Sequence, residues 1–497
     1  MTRRSLELIE QADAILYDRL IPPRALDGAR PDAELRYVGK EPGAAALAQE
    51  EINALLVELA RQAKRVVRLK GGDPFMFGRG GEEAEALAAA GIPFEVVPGV
   101  TAGVAAPAYA GIPVTHRDAA SAVAFVTGHE DPEKDSLRVR PSRTPHARLR
   151  SALDWDALAR FPGTLVLYMG VKNLPLIADR LIAAGRDPQE AAAVVERGTY
   201  PGQRTLVDTL TALPERVHAE GIRPPSITVI GPVAALHDAL GWLERRPLNG
   251  AVVAVTRARA QASGLATRLS GLGAEVIEAP AIRIEPRPLE GELLAALSRI
   301  REYALVCLTS PNGVRLLFDA LAEVGQDARA LAGATVAAIG PGTAAELERH
   351  SIRADVVPER FIAEGLAEEL ENVPVDGRAV LIARAAEARS VLPDALRERG
   401  ADVDDVALYN TRAERIDDGN RGRLARATHV TFTSSSTVRF FLDAGGELPA
   451  GARLVSIGPV TSATARELGL RVDVEATRHD IDGLVDALVA DARESAP

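Results

Sequence analysis

The second half of this 497-residue chain carries the same three sequence blocks twice, in the same order. The block VAVTRARAQASGLATRLSGLGAEV returns as LIARAAEARSVLPDALRERGADV, 127 residues further on. LTSPNGVRLLFDAL returns as FTSSSTVRFFLDAG after 124 residues, and AIGPGTAAEL returns as SIGPVTSATA after 118. Each block joins an apolar run to a helical stretch, the alternation that is typical of an α/β fold. Three ordered matches predict two similar α/β lobes.

Small hydroxyl residues and glycines stand in both copies where a strand meets the N-terminus of a helix. Such a terminus offers free N–H groups and the positive end of the helix dipole, so it can hold carboxylates. Helix capping explains any single one of these residues equally well, whereas their recurrence in both lobes favours a cleft for an anion. The candidate substrate-binding residues are Arg257, Thr309, Ser310, Gly340, Thr343, Arg384, Ser434, Ser435, Gly458 and Thr461.

One of these loops also fits a dinucleotide motif. GPGTAA, residues 340–345, follows an apolar run and matches G-x-G-x-x-A. The corresponding loop of the second copy has Val460 in place of the second glycine. A proline is also awkward in a turn that wraps a pyrophosphate, so dinucleotide binding is disfavoured.

In the first half, an apolar run enters a glycine-rich segment, RVVRLKGGDPFMFGRGGEE, residues 65–83, and a helical stretch follows. Glycine accepts positive φ and has no Cβ, so the backbone can approach a ligand closely. Asp73 adds a fixed negative charge, which suits a ligand with positive charge. The segment matches neither the P-loop nor G-x-G-x-x-G, so a nucleotide phosphate is disfavoured. A strand-to-helix turn with a capping aspartate is the alternative interpretation.

The net charge of −11 argues against a general attraction to nucleic acid or to a membrane surface. No apolar run approaches the roughly 20 residues of a membrane span, and the N-terminal MTRRSLELIEQ has no signal-peptide core. The single cysteine, Cys307, excludes an intrachain disulfide and a cysteine-rich metal site. Its apolar neighbours predict a buried thiol. Together these features predict a cytoplasmic protein without a bound metal.

Two stretches differ in character from their surroundings. Asp131 to Ser151 is polar, with five arginines, and is expected to be an exposed loop, with a nucleic-acid contact as the alternative. Residues 236–249 are expected to link the two halves.

The quoted motifs carry a family resemblance over nearly the whole chain. Residues 5 to about 240 resemble uroporphyrinogen-III C-methyltransferase, a tetrapyrrole methylase, through LYDRL, YVGK, the glycine-rich segment, VVPGVTAG, AYAGIPVTHR, TGHE, YMGVKNL and VERGT. Residues from about 249 to 490 resemble uroporphyrinogen-III synthase through the block order, the TS loops and the IGP motifs. The resemblance implies an α/β tetrapyrrole methylase fold of two subdomains, followed by a hinged, two-lobed synthase fold with parallel sheets. The implied domains are residues 1–112 and 113–235 for the methylase, 236–249 for the linker, 250–285 with 412–497 for synthase lobe 1, and 286–411 for synthase lobe 2.

For the first half, the resemblance implies transfer of methyl groups from S-adenosylmethionine to C2 and C7 of uroporphyrinogen III, which gives precorrin-2. A carboxylate can take the proton that the methylated ring sheds, and the resemblance makes Asp18 the proton acceptor and Lys40 the proton donor. The implied S-adenosylmethionine site consists of Gly71, Gly72, Asp73, Met76, Thr101, Ala102, Met169 and Gly198.

For the second half, the resemblance implies cyclisation of hydroxymethylbilane to uroporphyrinogen III with inversion of ring D. Tyr409, in VALYNTR, would assist departure of the hydroxyl group. A cleft between hinged lobes, lined by N–H groups and hydroxyls, suits such a polycarboxylate. The expected partners are these two tetrapyrrole substrates and a second copy of the chain through the methylase half, without nucleic acid, membrane or metal.

The resemblance also has a gap. The methylase family begins with a strand and a G-x-G-P-G-D loop, whereas this sequence starts at the helix expected after that loop. A chain of this extent is expected to bind S-adenosylmethionine weakly or not at all, with the synthase activity intact. Three interpretations follow: a bifunctional enzyme, a synthase with an impaired methylase, and a non-catalytic tetrapyrrole carrier.

Overall fold

A computed structural model gives the fold, and it describes residues 1–22, 25–39, 47–62, 64–129, 153–257, 259–415 and 418–495. Lys40 and the Asp131–Ser151 stretch lie outside these residues. The chain divides into two compact units, Met1–Arg246 and Pro247–Pro497. Over the described ranges, no helix has the length and apolar character needed to cross a membrane.

The first unit contains a small parallel sheet and a larger mixed sheet. The small sheet has the order β2-β1-β3, and the larger one has the order β4-β5-β8-β6-β7. Only β4 and β5 are parallel in the larger sheet. The strands are β1 (Ala14–Tyr17), β2 (Glu34–Tyr37), β3 (Val66–Leu69), β4 (Val123–Thr127), β5 (Thr164–Tyr168), β6 (Ala191–Glu196), β7 (Arg204–Thr209) and β8 (Ser226–Ile230). The helices are α1 (Arg3–Gln11), α2 (Gln49–Arg61), α3 (Gly80–Ala89), α4 (Ala102–Tyr109), α5 (Trp155–Ala159), α6 (Leu174–Ala183), α7 (Leu213–Ala219) and α8 (His237–Leu240).

The second unit contains two five-stranded sheets flanked by helices. The strands are β9 (Val252–Val255), β10 (Glu275–Glu278), β11 (Ile282–Pro286), β12 (Leu305–Leu308), β13 (Thr335–Ala338), β14 (Ala379–Ala385), β15 (Asp402–Ala413), β16 (His429–Phe432), β17 (Arg453–Ser456) and β18 (Val474–Glu475). The helices are α9 (Arg259–Gly271), α10 (Gly291–Ser298), α11 (Pro311–Glu323), α12 (Pro341–Arg349), α13 (Ala363–Glu369), α14 (Val391–Glu398), α15 (Asp418–Leu424), α16 (Ser435–Asp443), α17 (Pro459–Glu467) and α18 (Ile481–Glu494).

The two sheets of the second unit are interleaved along the chain. One has the order β10-β9-β16-β17-β18 and is parallel throughout, and the other has the order β11-β15-β14-β12-β13. In the latter only β11 is antiparallel to its neighbour. The chain therefore leaves the first sheet after β10, builds the second, and returns with β16. The predicted α/β fold with parallel sheets is confirmed, apart from the antiparallel edge strand.

The sequence repeat extends into contacts that the sequence blocks do not contain. Asp355 Oδ2 accepts a hydrogen bond from Val336 N at 2.8 Å, and Asp473 Oδ2 accepts one from Leu454 N at 2.9 Å. Each aspartate lies 19 residues after the residue whose N–H it accepts. The same loop-to-strand bond therefore occurs in each lobe.

Apolar side chains cover both faces of each large sheet. The strand Leu305–Leu308 is buried throughout, as expected for a parallel strand covered on both faces. Leu317 and Leu321 of α11 pack on one side of its sheet, while Leu366 and Leu392 belong to the cluster on the other. This packing fixes the ends of the strands, where the candidate site residues lie.

Candidate functional site

In the first unit, helix α4 is the element around which the candidate cofactor residues gather. Thr101 is its N-cap residue, and Ala102 is its first residue. The Thr101 hydroxyl lies 2.5 Å from the Tyr168 hydroxyl, which also accepts a hydrogen bond from Gly103 N at 2.6 Å. Because Met169 follows Tyr168 directly, these bonds hold the end of β5 at the N-terminus of α4.

The glycine-rich segment lies against the same end of α4. A Cβ placed on Gly72, whose φ is +82°, would lie 3.6 Å from Ala102 N. Asp73 Oδ1 accepts a hydrogen bond from Phe75 N at 2.9 Å, and Oδ2 accepts one from Gly99 N at 3.0 Å. Asp73 therefore forms a turn within the segment and fastens it to the loop before α4. It is not the capping residue of the alternative interpretation, because the N-cap residue of α3 is Arg79.

The remaining cofactor candidates border this cluster. Gly198 faces α4 so closely that an added Cβ would lie 2.8 Å from Ala106 Cα. Met76 packs against the apolar cluster that includes Ala106 and Tyr168, and Gly71 packs against the backbone of Leu20. The structure thus brings together all eight predicted cofactor-binding positions, which are Gly71, Gly72, Asp73, Met76, Thr101, Ala102, Met169 and Gly198.

Unfavourable backbone conformations are concentrated in these segments. Among the residues that the structure describes, six non-glycine residues have positive φ, and five of them lie in the segments around α4. Such conformations are unfavourable for residues with a Cβ, and they gather at functional sites where the surroundings enforce them. The five are Phe77 (52°), Arg79 (59°), Met169 (58°), Arg197 (50°) and Thr199 (74°), and the sixth is Ser351.

Four charged side chains form a largely buried cluster at the carboxyl ends of β1 and β3. Glu83 accepts hydrogen bonds from Arg68 Nε at 3.1 Å and from Lys70 Nζ at 3.0 Å. Arg68 Nη2 lies 3.5 Å from Asp18 Oδ2, and Leu20 N donates to Asp18 Oδ1 at 3.1 Å. Burial lowers the pKa of Lys70, the charge of Arg68 lowers it further, and Glu83 partly opposes both effects. Asp18 is thus connected through Arg68 to a glutamate that sequence reasoning did not identify.

Large apolar side chains are exposed beside this cluster and α4. Leu20, Phe75, Val100 and Met169 are each more than half exposed. Exposed apolar patches of this kind mark binding surfaces. The surface therefore suits a ligand with an extended apolar face.

In the second unit, Tyr409 lies at the N-terminus of α11. Its hydroxyl is 2.9 Å from Ser310 Oγ, and Ser310 also caps the helix by accepting a hydrogen bond from Gly313 N at 2.9 Å. Tyr409 is 5% exposed, and burial raises the pKa of its phenol. The phenol therefore stays protonated at neutral pH and can donate a proton or a hydrogen bond.

Two hydroxyl residues of the repeat, Ser310 and Ser434, cap helices, as the alternative interpretation proposes. Ser434 accepts a hydrogen bond from Thr437 N at 3.3 Å. Ser435 Oγ donates to Val460 O at 3.2 Å, which joins the first turns of α16 and α17. Gly340 and Gly458 are the N-cap residues of α12 and α17, and Thr343 and Thr461 are buried in the first turns of those helices. Thr309 immediately precedes the Ser310 cap and is half-buried.

The two arginines of the repeat have different surroundings. Arg384 pairs with Asp405 through Nε and Nη2, and its Nη1 donates to the carbonyl oxygens of Ala388 and Arg389. Its guanidinium is thus engaged within its own lobe. Arg257 is half-buried, and burial lowers the pKa of its guanidinium. Within the described residues, no group of three or more His, Cys, Asp or Glu side chains could hold a metal ion.

Comparison with known proteins assigns both halves. Residues 1–214 match the family described as tetrapyrrole (corrin/porphyrin) methylases, and residues 263–486 match uroporphyrinogen-III synthase HemD. The porphyrin biosynthesis protein HemD of Ruminiclostridium josui is 38% identical over 495 residues, covering 98% of this chain and 95% of its own length. The uroporphyrinogen-III C-methyltransferase of Bacillus subtilis strain 168 is 40% identical over 376 residues, covering 75% of this chain and 74% of its own. A solved uroporphyrin-III C-methyltransferase of Thermus thermophilus, complexed with S-adenosyl homocysteine, is 38% identical over 48% of this chain and 93% of its own, with a TM-score of 0.37.

Proposed function

Since the chain belongs to the tetrapyrrole methylases and the uroporphyrinogen-III synthases, joined in one polypeptide, we propose that it catalyses two successive steps of tetrapyrrole biosynthesis. The second unit closes hydroxymethylbilane to uroporphyrinogen III with inversion of ring D. The first unit methylates that product at C2 and C7 to give precorrin-2. The observation that carries the methylase proposal is the concentration of left-handed residues around α4.

In the methylase unit, the segments around α4 would hold S-adenosylmethionine, which supplies an electrophilic methyl group. The close approach of Gly198 to Ala106 leaves no room for a side chain there, and the φ of +82° at Gly72 disfavours any residue with a Cβ. In-line methyl transfer depends chiefly on the alignment of the methyl donor with the acceptor. Met169 and Thr199 are held in left-handed backbone conformations, and we propose that they keep the donor in a fixed position. The exposed apolar side chains Phe75 and Val100 suit the macrocycle of the acceptor.

Asp18 is the proposed proton acceptor. It stands directly after β1, its Oδ1 is fixed by the N–H of Leu20, and its Oδ2 faces Arg68. A carboxylate held in this way can take the proton that the ring loses after methylation. Lys40 remains a predicted proton donor, since it lies outside the described residues. A homodimer through the first unit also remains a prediction.

In the synthase unit, Tyr409 is the proposed acid that assists loss of the hydroxyl group from hydroxymethylbilane. Its phenol is protonated, and Ser310 orients it at the helix terminus. The helix N-termini of the two repeats would receive carboxylates of the substrate. The proposed division places lobe 1 in residues 250–285 and 412–497 and lobe 2 in residues 286–411, which the interleaved sheets support.

One incubation separates the two activities. The full chain is mixed with hydroxymethylbilane, with and without S-adenosylmethionine, and the products are oxidised and resolved as isomers. Precorrin-2 in the presence of S-adenosylmethionine supports both proposals, whereas unmethylated isomer III alone refutes the methylase proposal. Only the spontaneous isomer I refutes the synthase proposal and favours a carrier, and the methylase is then tested by adding uroporphyrinogen III directly. The variants Gly198→Ala and Ser310→Ala should each impair one activity, so the other activity reports that the chain is folded.

A further inference from the structure

The end of the first unit, residues 237–246, forms a strap that packs on α4. This stretch was expected to be part of a linker. Instead, His237 Nδ1 lies 2.6 Å from Ala110 O, and Trp242 Nε1 donates to Ala108 O at 3.1 Å. The last carbonyls of a helix lack partners within the helix. The strap therefore supplies partners at the end of α4 opposite to the candidate site.

The strap also reaches the loop that carries Gly198. Glu244 accepts hydrogen bonds from Gln203 Nε2 at 3.0 Å, from Thr205 N at 3.1 Å and from Thr205 Oγ1 at 2.5 Å. Gln203 is 1% exposed, and its Oε1 accepts a hydrogen bond from Thr199 N at 2.9 Å. A chain of hydrogen bonds thus runs from the Glu244 carboxylate through a buried amide to the backbone of Thr199.

This chain ends on a backbone that needs outside support. Thr199 has a φ of 74°, and the left-handed region is unfavourable for a residue with a branched Cβ. Such a residue persists only where its surroundings hold it. The preceding residue, Gly198, is the one that lies against Ala106 of α4.

We propose that Glu244 is a positioning residue for the S-adenosylmethionine site: through Gln203 it fixes the left-handed Thr199 and so keeps Gly198 against α4. The inference rests on the proposed methylase function. It adds that the affinity of the first unit for its co-substrate depends on the strap.

The test compares Glu244→Ala, Gln203→Ala and the double variant in the full chain. Because hydrogen bonds to a charged group are stronger than neutral ones, each single variant should raise the dissociation constant for S-adenosylmethionine about tenfold or more by calorimetry. The KM for S-adenosylmethionine should rise while kcat changes less. If the two residues act in one chain, the double variant should bind no more weakly than the worse single variant. Glu58→Ala, an exposed helical site, is the matched control, and Glu244→Gln, which keeps one acceptor atom, should fall between.

Amide hydrogen exchange provides a reading that does not depend on the co-substrate. Exchange across residues 197–205 should accelerate in Glu244→Ala, while synthase activity in the same chain stays unchanged and reports folding. If the parent chain neither binds nor uses S-adenosylmethionine, the methylase proposal fails, and with it the link from Glu244 to co-substrate affinity. The hydrogen-bond chain from Glu244 to Thr199 is then tested by the exchange measurement alone. Unchanged exchange, or affinity equal to that of Glu58→Ala, would overturn the role of Glu244.

Discussion

Replacing Glu83 by glutamine should destabilise the first unit by an amount that the structure allows us to estimate. The side chains of Glu83, Lys70 and Arg68 are 7%, 9% and 13% exposed. Arg68 retains Asp18 and the carbonyl oxygen of Leu69, so most of the loss falls on Lys70. Removing one partner of a buried ion pair costs about 3–5 kcal/mol. Since glutamine keeps one acceptor atom, we expect a loss at the lower end, about 3 kcal/mol.

The stability of the first unit can be measured by tryptophan fluorescence. Both tryptophans of the chain, Trp155 and Trp242, lie in the first unit, so tryptophan fluorescence during urea unfolding reports on that unit alone. With a slope of about 3 kcal/mol per molar urea, the midpoint should fall by about 1 M. The control is Glu7→Gln, which removes an exposed partner of Arg4 and should cost less than about 1 kcal/mol.

The pH dependence tests the same reasoning. The pKa of Lys70 is below its ordinary value of 10.5 in the folded chain, and loss of Glu83 should lower it further. Between the folded and unfolded values the unfolded chain binds more protons, so stability rises with pH in that window. The deficit of Glu83→Gln should therefore shrink as the pH rises through this window and be smaller at pH 10 than at pH 7. A deficit no larger than that of Glu7→Gln, or one that does not change with pH, would refute the electrostatic coupling of this cluster.

Four further predictions concern the second unit. Tyr409→Phe should lower kcat for cyclisation about 100-fold or more, with less change in KM, if the phenol acts as an acid; unchanged formation of isomer III would contradict that role. Burial raises the pKa of Cys307 to about 12, so a thiol reagent at pH 8 should label it only as the unit unfolds, and labelling of the native chain would contradict its burial. Gly483→Ala would place a Cβ 2.8 Å from the carbonyl carbon of Arg478 and should cost about 1–3 kcal/mol in a thermal melt. Gly264→Ala, with open space around it, should instead stabilise α9 by about 0.5–1 kcal/mol.

The sequence was most informative where a motif fixes backbone geometry. The glycine-rich segment and the repeated blocks predicted the α/β fold, and the comparisons confirm the two families. The charge cluster was missed because Arg68 in β3 and Lys70 directly after it are two residues apart, a spacing that equally describes the exposed face of a strand. Only the position of α3, which brings Glu83 over that face, shows that the cluster is buried.

Other differences also depend on contacts between distant segments. The prediction that Arg384 binds substrate did not include its pairing with Asp405, which comes from the neighbouring strand β15. The strap was expected to be part of a linker between the two halves. Its contacts with Ala108 and Ala110 join residues up to 134 positions apart, a separation over which local sequence patterns carry no information.

The interleaving of the two sheets in the second unit determines the order in which they can form during synthesis. Strand β9 finds its partner β16 about 175 residues further on, and at roughly 5–20 residues per second a ribosome needs about 9–35 s to make that length. During this interval the edge of β9 that β16 will cover stays open, while the whole of the inserted sheet can form. The nascent chain thus completes its later sheet before its earlier one, and the unfinished sheet is the stage most exposed to strand pairing with other chains.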